Sequence, residues 1–68
     1  MKVKDLLVKM LYKNSITDIW IEKTTDVFHS DVHHFALAIE CFGDNDVDYW
    51  YIDVDRFDEK VELNIRVK

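Results

Sequence analysis

Apolar residues stand at Val3, Leu6, Leu7, Met10 and Leu11, the i, i+3, i+4, i+7, i+8 spacing of one helix face. The lysines of this segment fall mostly on the other side, and Asn14 reads as a C-terminal stop. From residue 17 the period drops to two. Ile19 and Ile21 share one face of a strand over 17–23, and Asp18, Trp20 and Glu22 share the other. Thr24, Thr25 and Asp26 read as a turn, and Val27 and Phe28 as a short return strand.

Residues 30–43 fit two periods. As a helix, Ser30 would cap the N-terminus, Asp31 would suit the dipole and Gly43 would close the C-terminus. Val32, Phe35, Ala36, Ile39 and Phe42 would then form the buried stripe. As a strand, Phe35, Leu37, Ile39 and Cys41 would alternate with Ala36, Ala38 and Glu40, with a hairpin loop over 43–46. The caps and the two alanines favour the helix, because alanine suits helices better than strands.

The last third alternates clearly. Trp50, Ile52 and Val54 share one face of a strand over 47–56, opposite Tyr49, Tyr51, Asp53 and Asp55. A polar turn at Asp58, Glu59 and Lys60 leads to Val61, Leu63, Ile65 and Val67, which alternate with Glu62, Asn64, Arg66 and Lys68. Two such runs joined by a short polar link predict an antiparallel hairpin. The expected fold class is α+β, as a single domain over 1–68. A small, mostly antiparallel sheet of three to four strands carries an N-terminal helix and a second helix on one face. Ile19, Ile21, Trp50, Ile52, Val54, Val61, Leu63, Ile65 and Val67 should be covered. Trp20, Glu22, Tyr49, Tyr51, Asp53, Asp55, Glu62 and Arg66 should face water, as one side of an antiparallel sheet can.

Composition narrows the setting. Sixty-eight residues, 49% of them hydrophobic, make one domain near the lower limit for folding unaided. A lone cysteine, Cys41, excludes an internal disulfide and fits a reducing compartment. The short apolar run Leu6 to Val8 is broken by Lys9, too early for a signal's apolar region, and nothing approaches a membrane span. The expected location is the cytoplasm. The net charge of −5 is unevenly placed. Residues 1–13 hold four lysines against one aspartate, a net +3. Residues 14–68 hold five cations against thirteen acids, a net −8. That acidic part repels nucleic acid and attracts a basic protein surface.

Each chemistry-bearing group also has a plainer role. His29, His33, His34 and Cys41 have spacings that zinc ligands use on a helix, but no paired CxxC supports them. They are read as polar or half-buried histidines near a helix start, and no metal or cofactor is expected. Asp44, Asp46 and Asp48 resemble the start of a calcium loop, yet Tyr49 occupies the place of the sharp-turn glycine. Cys41 beside His34 lacks the other parts of a nucleophilic site and reads as a small buried hydrophobe. Asp53 and Asp55 point the same way on a strand, as acids on a wet face commonly do. No Gly-rich phosphate loop exists, so no enzymatic activity is expected. The acid-and-aromatic face remains: Trp20, Glu22, Tyr49, Tyr51, Asp53 and Asp55 form the candidate partner-binding set, since Tyr and Trp favour interfaces.

The segments MKVKDLLVKML, ITDIWIE, YIDVD and VELNIRV give the chain a layout that resembles short uncharacterised proteins from phages and mobile elements of Gram-positive bacteria. The resemblance covers about half the chain as pattern and brings no functional residues with it. It implies a phage or prophage setting and a host cytoplasm, where small acidic proteins often bind and block host proteins. The leading expectation is a non-enzymatic protein-binding module. It would act as an inhibitor of a host nucleic-acid-handling or defence protein with a basic surface, without contacting nucleic acid or membrane. The alternatives are a self-associating homodimer and, behind it, a metal-binding module built on the histidine cluster.

Overall fold

The computed structural model describes the chain except residue 14, and the side chains of residues 11–13 also lie outside the description. The proposed stop at Asn14 and the apolar Leu11 therefore fall outside the described residues. The first helix, α1, spans Val3–Lys13. Val3, Leu6 and Leu7 are buried on its inner face, and Met10 packs at the margin of the core. Strand β1 (Asp18–Lys23) and strand β2 (Asp26–Asp31) form a hairpin. A 3-10 turn (Val32–His34) leads into helix α2 (Phe35–Phe42). Strands β3 (Val47–Asp55) and β4 (Lys60–Val67) form the second hairpin.

The strand order is β2-β1-β4-β3. Both hairpins are antiparallel, and they meet through a parallel pairing of β1 with β4. The sheet is thus mixed, with four strands and two helices in an α+β arrangement. The two central strands carry the core: Ile19, Ile21, Leu63, Ile65 and Val67 are buried against Val3, Leu6 and Leu7 of α1 and Ala38 of α2. Phe28 of β2 meets Phe42 of α2 with ring centroids 5.5 Å apart, which seats α2 over that edge.

The segment 30–43 is neither all helix nor all strand. Residues 30 and 31 finish β2, so the return strand has six residues rather than two. Asp31 takes the capping role expected of Ser30: its carboxylate accepts from the His33 and His34 N–H groups at 2.9 and 3.1 Å. The Ser30 hydroxyl instead donates to the Asp31 carbonyl. The stripe that α2 buries is Ala38, with Ile39 and Phe42 half-buried, whereas Ala36 and Phe35 are exposed. Val32 lies in the 3-10 turn rather than on α2, and α2 turns Ala38, Ile39 and Phe42 toward the core. Gly43 closes α2 for a steric reason rather than by left-handed geometry. A Cβ there would lie 2.3 Å from the Ile39 carbonyl oxygen.

The loop after α2 organises the N-terminus. Val3 N–H donates to the Asn45 carbonyl and Lys4 N–H to the Gly43 carbonyl, which satisfies two donors that the first turn of α1 leaves open. Lys2 pairs with Asp46 and Lys4 with Asp44, both at 3.0 Å.

The alternation in β3 assigned its faces but not their cover. Trp50, Ile52 and Val54 sit on the helix side of the sheet, opposite Ile65, Leu63 and Val61. They are nevertheless exposed, while Leu63 and Ile65 next to them are buried. The helices cover β2, β1 and β4, and the cover ends before β3. Cys41, expected inside, is exposed on α2.

Candidate protein-docking face

The sheet face opposite the helices is organised in three cross-strand rows set by the pairing register. Tyr51, Asn64, Trp20 and His29 form the middle row, running from β3 to β2. Tyr49, Arg66, Glu22 and Val27 form a second. Asp53, Glu62, Asp18 and Asp31 form a third, a line of carboxylates over all four strands. Cross-strand neighbours on one face stand about 4.5–5.5 Å apart at Cβ.

The aromatic residues are placed as the alternation requires. Tyr49 and Tyr51 are 55% and 53% exposed. Trp20 is half-buried, because the His29 ring stacks on it with centroids 4.2 Å apart. Its indole N–H is buried and, among the described residues, finds no hydrogen-bond acceptor. Such an unmatched donor costs about 1–3 kcal/mol. Trp20, Tyr49, Tyr51, Glu22, Asn64 and Arg66 line a shallow cleft of about 210 Å³ on this face.

The predicted acids divide into those available for a partner and those engaged within the chain. Glu22 Oε1 pairs with Arg66 Nη1, and Arg66 also donates to the Thr24 carbonyl. Asp55 accepts from the Phe57 and Asp58 N–H groups at 3.0 and 3.3 Å, so its carboxylate shapes the β3-β4 turn. Asp53 is exposed and has no ion-pair partner among the described residues. The alternation put Asp18 on the side of Trp20 and Glu22 but did not place Asp31 there, because a two-residue return strand concealed the length of β2. Asp18 is 7% exposed and is matched by Lys60 at 3.6 Å and His29 at 3.8 Å.

The histidine cluster is dispersed by the fold. His29 stacks on Trp20, His34 Nδ1 lies 2.7 Å from Asp31, and Cys41 is on the surface of α2. Among the described residues, no three His, Cys, Asp or Glu side chains gather as a metal site. The hydrogen bond from His34, followed by that residue's charge and the His33 amide, holds the Asp31 carboxyl below its ordinary range. Lys4 and Lys2 act likewise on Asp44 and Asp46, first by hydrogen bond and then by charge. Two carboxylates of the D-x-D-x-D run therefore clamp α1. No helix among the described residues is long and apolar enough to cross a membrane. Comparison with protein-family models, curated proteins and solved structures finds no match for this chain.

Proposed function

We propose that the chain is a non-catalytic protein-binding module whose helix-free sheet face docks on a basic protein surface. The observation that carries this reading is the coincidence, on that face, of exposed Tyr49 and Tyr51 with the carboxylate row ending in Asp53. Rings supply contact area at low entropy cost, and acids around them select a cationic partner. A cleft of about 210 Å³ is smaller than the 300 Å³ or more usual for small-molecule sites, which favours a macromolecular contact over a reaction chamber. In the phage setting that the sequence resemblance implies, the partner is a host nucleic-acid-handling or defence protein, and the module acts as its inhibitor.

The test is capture from a Gram-positive bacterial lysate by the immobilised chain and by a Tyr51→Ser, Asp53→Asn variant. The expected result is a specific basic protein, retained at low salt, released by high salt and lost with the variant. Equal capture by both chains would discard this face as the docking surface.

A further inference from the structure

We infer that the outer edge of β3 is a self-association surface, where a second copy of this chain adds its own β3 antiparallel about a two-fold axis at Ile52. The two four-stranded sheets would join into one of eight strands. The inference rests mainly on the helix side and the edge of β3; of the open face it uses only the register of Tyr49, Tyr51, Asp53 and Asp55.

Four observations carry it. First, β3 ends the strand order, and from Tyr49 to Asp55 its outer side has no strand neighbour among the described residues, whereas the Val47 N–H already donates to the Met1 carbonyl. The opposite edge, β2, is shorter and has α2 seated against Phe28. Long uncovered edges invite strand addition. Second, the helix side of β3 is apolar and uncovered: Trp50 is 40% exposed, Ile52 36%, Val54 59% and, in the following turn, Phe57 100%.

Third, the strand is complementary to itself. About Ile52, Trp50 of each copy faces Val54 of the other and Ile52 faces its twin, all on the apolar side. On the other side Tyr49 faces Asp55 and Tyr51 faces Asp53. No carboxylate directly opposes another. An axis at Asp53 would set two carboxylates face to face, which is unfavourable. An axis at Trp50 would set Asp48 against Ile52. An axis at Tyr51 would draw in the irregular pairing between Val47 and Tyr49. Fourth, the size is plausible for a weak dimer. Seven paired residues run about 24 Å. Small interfaces bury about 600 Å² per copy, roughly one eighth of the 4753 Å² exposed here.

The two Asp53 carboxylates stay diagonal neighbours across the axis, so their repulsion opposes pairing until salt screens it. Sedimentation equilibrium from micromolar to millimolar concentration, at low and high salt, tests the inference. The expected result is a dimer that tightens with salt and with Asp53→Asn. Ile52→Lys sets like charges opposite each other at the axis and should weaken association at least about tenfold, equivalent to 1.4 kcal/mol. Val54→Lys, at a more exposed position, should weaken it too and serves if the first variant unfolds. A monomer at every concentration overturns the inference and leaves the edge to a strand of another protein. A dimer indifferent to both lysine substitutions overturns it as well. The Ile52 and Val54 substitutions lie on the helix side, so their outcome is read apart from docking by the open face.

Discussion

Thr24 opens the β1-β2 turn at φ 55°, a left-handed conformation that a β-branched residue adopts at a cost. Thr24→Gly should relieve that strain and raise stability by about 1 kcal/mol, read from a denaturant midpoint at unchanged slope. Gly43 is the opposite case. Its backbone is ordinary helix, and the constraint is space: a Cβ would press on the Ile39 carbonyl at 2.3 Å and the Ile39 Cγ2 at 3.2 Å. Gly43→Ala should cost about 1–3 kcal/mol, measurable by the same titration. Asp31, Asp44 and Asp46 all have depressed carboxyl pKa values in the folded chain. Their contribution is therefore complete above the unfolded value, near 3.9, and is lost as pH falls through the lower folded values. Lys4 is raised by Asp44, through hydrogen bonding and then charge, so its share is lost only when pH rises through its folded value. Melting temperature followed against pH should fall on the acid side, and less steeply in a Lys2→Met, Lys4→Met variant. An unchanged acid limb in that variant would remove the clamp from the account. These groups are exposed, so the effect is modest and should shrink in high salt.

At the scale of elements, the two hairpins were legible from alternation, but their parallel junction was not. Thr17, just before β1, holds that junction. Its backbone N–H donates to the Val61 carbonyl and its hydroxyl accepts the Val61 N–H, both at 2.9 Å. Thr17→Val keeps the shape and leaves that N–H unmatched, so a loss of about 1–2 kcal/mol is expected. Hydrogen exchange should show faster opening at the start of β4 than elsewhere in the sheet. Periodicity reports which residues share a face, and it placed Trp50, Ile52 and Val54 with Leu63 and Ile65 correctly. It contains no term for where a helix ends its cover. Asp31 rather than Ser30 caps the 3-10 turn that precedes α2, a local choice between two good capping residues that spacing does not resolve.

Across the whole molecule, the charge asymmetry is partly spent inside the fold. Lys2 and Lys4 meet Asp46 and Asp44, Arg66 meets Glu22 and Lys60 approaches Asp18. Carboxylates on the open face remain, and a net charge of −5 persists. The two proposed surfaces should answer salt in opposite directions: docking on a basic partner weakens as ionic strength rises, and pairing of two acidic copies strengthens. Titrating salt against each association separates them in one series. The helical face of α1, the faces of the strands and the acidic balance follow from residue order alone, because each depends on local period or simple counting. The strand order β2-β1-β4-β3, the carboxylate row, the stacking of His29 on Trp20 and the bare apolar side of β3 do not. Each joins residues distant in the chain or depends on how far two short helices reach over a sheet, and only packing in three dimensions decides that.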